Sequence, residues 1–252
     1  MTIRARWLAE KRAEVAALAD LPLADVVPSR RDFTQFVATQ RQGVALVPRL
    51  QRANPATGGA WPGLDVAAFA RACDDAEVGA LAVRTAAVFE ASLADLAAVA
   101  GAVSAPLLRD DLCLHPLHVY QARLHGADAV VLPAGELDPE TLRGLASVAS
   151  SLHMASIAEA GDAAALTVAL DLPGACIGLT PAGGDGRADL ARVRALAAQI
   201  PRQRTVLLLG EVAWLDDLFD LTGCIDAAVV GDALLGVPDP AAAIAAFLAR
   251  AA

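Results

Sequence analysis

Residues 106–132 read PLLRDDLCLHPLHVYQARLHGADAVVL. An apolar run at Pro106–Asp110 is followed by a helical stretch and then by a second apolar run at Asp128–Leu132. Short, nearly unbroken apolar runs separated by helices suit parallel strands covered on their outer face, because parallel neighbours need a crossover between them. The same alternation extends both ways along the chain at intervals of about 25 residues. It gives further candidate strands at Val44–Arg49, Ala80–Thr85, Ala155–Ala160, Ala175–Thr180, Thr205–Leu209 and Ala227–Val230. Eight strand–helix units without a break in composition predict an α/β chain folded as a (β/α)8 TIM barrel. An open doubly wound sheet is the alternative, but no Gly-x-Gly-x-x-Gly turn follows the first strand.

The helices carry start signals. Ser92 with Asp95 resembles a capping box, and Asp138-Pro139 and Asp239-Pro240 place an N-cap before a proline in the first turn. Residues 1–43 precede the barrel, which is expected to span 44–252. In this extension Trp7–Leu21 reads as helix, Pro22–Arg30 as loop, and Asp32 as the N-cap of a short second helix. Such an extension can cap the mouth of a barrel whose function lies at the carboxyl face.

Composition excludes several classes. The 252 residues suit one barrel of about 250. Mean hydropathy is +0.48, yet there is no uncharged apolar run of roughly 18 residues, which argues against a membrane span. The amino terminus runs straight into a charged helical pattern with no signal-peptide core, so a cytoplasmic location is expected. A net charge of −9 speaks against nonspecific nucleic-acid binding and against anionic membranes, while leaving room for a small anionic molecule held by a local cluster. Cys73, Cys113, Cys176 and Cys224 lack metal spacing and read as free thiols. His115 and His118 flank Pro116, His125 and His153 fall at helix ends, and all four read as surface or helix-terminal rather than as ligands. Neither a metal nor a cofactor is called for. A monomer and a homodimer both remain open.

The order of segments resembles the indole-3-glycerol phosphate synthase family over nearly the whole chain. The resemblance rests on Lys11-Arg12 with Glu14-Val15, Arg31-Asp32-Phe33, Phe89-Glu90-Ala91-Ser92 and Leu108-Arg109-Asp110-Asp111-Leu112. It continues through Gln121-Ala122-Arg123, Gly126-Ala127-Asp128-Ala129, Val230-Gly231-Asp232-Ala233-Leu234 and Pro238-Asp239-Pro240. It implies a barrel that closes an indole ring with loss of carbon dioxide and water. The family's polar positions have changed, however. Its first-strand Glu-x-Lys-x-x-Ser-Pro stands here as Arg49-Leu50-Gln51-Arg52-Ala53-Asn54-Pro55, and its third-strand lysine, the general acid, as Asp110. Its sixth-strand Asn-x-Arg becomes Thr180-Pro181-Ala182, and its seventh-strand Glu-Ser-Gly aligns with Leu208-Leu209-Gly210. Only the fifth-strand glutamate, Glu159, is retained. The single lysine of the chain, Lys11, lies in the first helix, so no lysine is expected at the mouth.

Strand alternation places Arg49, Arg84, Asp110, Glu159 and Thr180 at inward-facing carboxyl ends. One reading is a self-neutralising plug of two arginines and two carboxylates. Another is a rebuilt site in which Arg49 and Arg84 hold a carboxylate or phosphate, and simple drift of the family's positions is a third. Gly210, Gly231 and Asp232 fall where barrel loops cradle phosphate, and Gly183–Arg187 reads as a flexible loop that either supplies Arg187 or is plain solvent loop. Trp61, in the loop after the first strand, either stacks on a planar ligand or packs the lid. Three functions follow as expectations: a ligand-binding or partner-binding pseudoenzyme that has lost the lyase reaction; an enzyme with altered chemistry using Glu159 and Asp110 as acid–base pair on a related phosphorylated or carboxylated small molecule; and, last, the family reaction kept by unfamiliar residues.

Overall fold

In the computed structural model, which describes residues 1–39 and 43–251, eight parallel strands close into a barrel. They are β1 (Ala45–Leu50), β2 (Leu81–Val83), β3 (Leu107–Leu112), β4 (Ala129–Pro133), β5 (Ala155–Ala160), β6 (Cys176–Leu179), β7 (Val206–Leu208) and β8 (Ala227–Val230). Each coincides with a predicted apolar run. The barrel closes between its first and last strands, where Val47 pairs with Val229, while Arg49 on the other edge of β1 pairs with Ala82.

Alternation sorts the side chains into two layers. Leu46, Leu81, Leu107, Val130, Ile177 and Leu208 face the surrounding helices, whereas Val47, Ala82, Leu108, Val131, Ile157, Leu207 and Val229 fill the barrel. Small alanines on the inner face, such as Ala45, Ala80, Ala129 and Ala227, keep that interior narrow enough to pack solid. The caps read from sequence are present. Asp95 accepts from the Ser92 backbone N–H at 2.9 Å, and Asp138 accepts from the N–H groups of Glu140 and Thr141 behind Pro139. Asp239 accepts from Ala242 N–H at 2.9 Å. Such caps stabilise a helix by about 1 kcal/mol each.

The extension divides between the two ends of the barrel. Helix α1 runs over Ile3–Ala17, starting earlier than expected because the Thr2 hydroxyl caps Ala5 N–H at 3.2 Å. Its Trp7 and Leu8 pack on Ala86, Phe89 and Leu112 at the carboxyl end of the strands. Helix α2, Phe33–Thr39 with Asp32 as its cap, does not cover the mouth: Phe33 and Val37 join the inner cluster with Ala45 and Ala227 and close the amino end. Ion pairing of Arg31 with Asp128 at 2.7 Å holds it there. Residues 40–42, near the end of the expected extension, lie outside the described residues.

Among the described residues no helix is long and apolar enough to cross a membrane. All four cysteines are free. His118 departs from its surface reading. It is fully buried on the inner side of the helix Pro116–Leu124, where its Nδ1 accepts from Leu114 N–H at 3.1 Å.

Candidate functional site

At the carboxyl ends of the strands a cavity of about 220 Å³ is lined by Arg49, Arg84, Asp110, Glu159, Thr180, Gly210 and Glu211. Trp7, Phe89, Val131 and Leu209 supply its apolar wall. A larger cleft of about 480 Å³ opens at the amino ends of β7 and β8, between Arg194, Arg202, Arg204 and Asp226. There Arg204 is engaged with the carbonyls of Leu170, Leu172 and Ala175, a structural tie far from the strand ends where barrel chemistry sits.

Arg49 occupies the centre of the mouth. Its guanidinium is fully buried, with Nε 2.5 Å from Asp110, Nη1 2.6 Å from Glu211, and Nη2 donating to the Leu209 carbonyl at 2.6 Å. Burial alone would lower its pKa, but Asp110 and Glu211 outweigh this and hold it above the ordinary arginine value. Arg84 shares Asp110 less closely, at 3.3 Å, and its guanidinium lies over the Phe89 ring at 4.2 Å and the Trp7 ring at 4.8 Å. Burial, with the charge of Arg49 adding to it and Asp110 opposing, brings Arg84 down to about 10, so it stays charged at neutral pH. Glu159 is taken by α1. Arg4 forks onto both of its oxygens at 2.9 and 2.7 Å.

Glu211 completes a second layer. One oxygen accepts from the backbone N–H groups of Gly231 and Asp232 at 3.0 and 2.9 Å, while the other meets Arg49 and the Gln51 amide. A Cβ at position 231 would come within 2.8 Å of the Gln51 amide and 3.0 Å of the Glu211 carboxylate, so a larger residue there would have to push these side chains aside. Asp232 accepts from Gln51 at 2.7 Å, from Asn54 at 3.1 Å and from the Thr57 hydroxyl. Its pKa is raised, first by burial and then by the neighbouring Glu211 charge.

The structure thus brings Arg49, Arg84, Asp110, Glu159, Thr180 and Gly210 to one cavity, and sets Gly231 and Asp232 beside it under Glu211. Glu211 and Arg4 were missed. Glu211 follows β7, where Leu208 faces the helices while Leu207 and Leu209 face the barrel. Arg4 sits in the extension, where no local pattern announces a partner on β5. Trp61 packs against the outer core and does not line the cavity. In the 183–187 loop Arg187 turns to Asp185, and Gly186 reaches the cavity with φ +78°, where a Cβ would strike the Ala56 carbonyl at 2.5 Å.

Lys11 is also accounted for. It is fully buried, 2.5 Å from Asp111 and 2.8 Å from Glu14, on the outer side of β3. Asp111 receives the Trp7 indole N–H at 2.6 Å as well as Arg109 and Thr85. Burial would raise the Asp111 carboxyl, but Arg109 and Lys11 overcome this and hold it well below the carboxylate range.

A closed (β/α)8 barrel with its polar cluster at the strand carboxyl ends, and a short helix (Asp232–Leu235) starting directly after β8, places the chain in the class of barrels that work at that face. Solved structures agree on the fold. The 3-hexulose-6-phosphate synthase of Salmonella typhimurium superposes with a TM-score of 0.64 at 14% identity, over 83% of this chain and 100% of that one. The tryptophan synthase alpha subunit of Legionella pneumophila gives 0.59 at 15% identity, over 87% and 96%. A family model described as indole-3-glycerol phosphate synthase matches residues 1–247. Proteins named indole-3-glycerol phosphate synthase from Aromatoleum aromaticum and Mycobacterium ulcerans are 33% and 32% identical, covering 94% and 92% of this chain and 88% and 83% of theirs. The chain belongs to the indole-3-glycerol phosphate synthase family.

Proposed function

We propose that this family member has lost the ring-closing lyase reaction and acts as a binding protein, with the mouth cavity as its ligand site. The observation that carries the reading is Arg49, fully buried between Asp110 and Glu211 where the family resemblance implies a catalytic glutamate. That reaction needs a general acid at the position of Asp110. A carboxylate clamped by Arg49 and Arg84 does not replace an ammonium that donates a proton, and the only lysine is held by Asp111 outside the cavity. Losing one such group typically costs about 10²–10⁴-fold.

Phosphate recognition is displaced as well. In barrels of this class, the amides at the start of the helix after β8 favour an anion. Here they already hold the Glu211 carboxylate, which would repel a phosphate dianion. The altered-enzyme reading has no comparable support, since Glu159 has both oxygens on Arg4 and Asp110 is ion-paired. Buried free thiols and the lack of a membrane-crossing helix among the described residues are compatible with a cytoplasmic setting. The test is direct. Purified protein given the anthranilate-derived ribulose phosphate is expected to form no detectable indole glycerol phosphate, and turnover within about tenfold of a typical 10 s⁻¹ would refute the reading.

A further inference from the structure

The cleft of about 480 Å³ at the amino pole is separate from the mouth. Val206 at the start of β7 lines the cleft, whereas Leu209, just past the end of that strand, lines the mouth. Its size falls in the range that holds a small molecule, roughly 300–1,000 Å³. The lining carries three arginines against one carboxylate, in a chain whose net charge is −9. That carboxylate, Asp226, has one oxygen taken by the Val206 N–H at 2.7 Å. Arg204 is fixed by the carbonyls of Leu170, Leu172 and Ala175, and among the described residues no carboxylate pairs with it. The Arg202 side chain is exposed and makes no hydrogen bond or ion pair among the described residues. Arg194 has Asp220 as its partner, but at 3.8 Å and with the two side chains 43% and 70% exposed. A pair that loose and that wet is worth little and is readily exchanged for another anion.

The arrangement of these cations says which ligand. They come from separate segments: Arg194 from the last turn of the helix Leu190–Ala197, Arg202 from the turn that follows, and Arg204 from the approach to β7. Arg204 has its N–H groups on carbonyls, so it contributes its charge rather than its fork. Arg194 and Arg202 have forks to offer, and one guanidinium fork takes one carboxylate or phosphate group. An ion with a single anionic group uses one of them, whereas a polyanion uses both at once over the charge of Arg204. Ala197, Ile200, Pro201 and Ile225 provide an apolar wall for the body that joins the anionic groups. Cys224 lines the same cleft and is the one cysteine of the four that is not fully buried, which gives the site a reporter of its own.

We propose that the amino-pole cleft is a second binding site, for a small polyanion with two or more carboxylate or phosphate groups, held by Arg194 and Arg202 above the fixed charge of Arg204. It stands apart from the mouth and does not depend on what the mouth binds. The test uses the full chain at low salt and four probes followed by calorimetry: citrate, pyrophosphate, acetate and orthophosphate. One polyanion per chain is expected to bind saturably, and the tighter of citrate and pyrophosphate tells whether carboxylate or phosphate groups are preferred. Acetate and orthophosphate are expected to bind at least about tenfold more weakly, because each lacks a second group. The double variant Arg194→Gln, Arg202→Gln is expected to weaken the polyanion roughly ten- to a hundredfold. At saturation the polyanion is expected to slow iodoacetamide labelling of Cys224, read by mass spectrometry.

No saturable signal from either polyanion, or orthophosphate or acetate binding as tightly as the polyanions, would overturn the proposal. So would polyanion binding that leaves the rate of Cys224 labelling unchanged, since the ligand would then sit elsewhere. These wild-type outcomes do not depend on any variant folding. Both replaced side chains are solvent-facing, and Arg204, which ties the backbone, stays in place. Unchanged polyanion affinity in the folded double variant would overturn the proposal too. Ring-closing turnover would defeat the loss-of-reaction reading whatever the polyanions do, whereas absent polyanion binding defeats the amino-pole site alone.

Discussion

Replacing Arg49 by methionine tests the central feature of the mouth. The change keeps a long apolar stem but removes the cation from between Asp110 and Glu211, and takes a donor from the Leu209 carbonyl. Arg49 is fully buried, so its loss leaves two buried anions with only Arg84, Gln51 and backbone amides nearby. Breaking a buried pair from one side costs about 3–5 kcal/mol, most of it the stranded charge. In a chain of this size each kcal/mol moves Tm by about 2–4 °C, so the melting temperature should fall by roughly 6–20 °C. A combined Arg49→Met, Asp110→Leu, Glu211→Gln protein removes the charges together while leaving an acceptor for the Gly231 and Asp232 amides. It should recover more than half of the single variant's loss. Urea unfolding of the singles and the triple at pH 7 measures all of this. A single-variant loss under about 1 kcal/mol, or losses that simply add, would show the charges to be solvated and uncoupled, and the plug argument would fail.

Two further outcomes follow from neighbouring groups. Glu211→Ala should free the Gly231 and Asp232 amides, so that inorganic phosphate, without effect on the wild type, raises the variant's Tm; no phosphate response in a folded variant would contradict the assignment of Glu211 as their resident anion. His118 is pushed down to about 3, chiefly by burial and then by Arg109 and Lys11, with Asp111 opposing and His115 and Glu14 also facing it. Its unfolded value is about 6.5, so the unfolded chain takes up a proton that the folded chain refuses, and stability falls as pH drops from about 6.5 toward about 3. The slope from this residue reaches about 1.4 kcal/mol per pH unit. Between pH 6.5 and 5 the wild type should therefore lose stability more steeply than His118→Gln, whose amide oxygen can still accept from Leu114; equal slopes in urea titrations would remove His118 from the account.

The barrel was legible because its information is local. An unbroken apolar run such as Ala227–Val230 needs only its own residues to declare a doubly covered strand, and Asp138-Pro139 declares a helix start within a few positions. Alternation then assigned Arg49, Arg84, Asp110 and Glu159 to the mouth. The partners that define the site were not legible, because they join residues far apart in the chain. Arg4 meets Glu159 across 155 positions and Arg49 meets Glu211 across 162, distances over which no periodicity carries a signal. The facing of the β7 side chains was hidden for a similar reason. Three consecutive leucines, Leu207 to Leu209, are equally apolar on either face, so only the closed sheet decides that Leu208 points out. The burial of His118 was hidden for another reason. One polar residue on a helix says nothing of a backbone N–H waiting four residues earlier, at Leu114.

The mouth charges form an interlocked set, which explains why the departures from the family pattern occur together. Asp110 lies 2.5 Å from Arg49 and 3.3 Å from Arg84, so a lysine at 110 alone would set three cations against one another in a buried space with only Glu211 to balance them. A glutamate at 49 alone would face Asp110 and Glu211 and leave three carboxylates without their buried cation. Like charges out of water cost far more than at the surface, where screening softens them. Each single step back toward the lyase pattern is therefore unfavourable, although Arg49 and Asp110 exchanged together would still attract. Glu211 blocks even that exchange, since a glutamate at 49 would meet it where Arg49 now stands at 2.6 Å. The residue that holds the Gly231 and Asp232 amides is thus also the one that fixes the sign of the charge on β1.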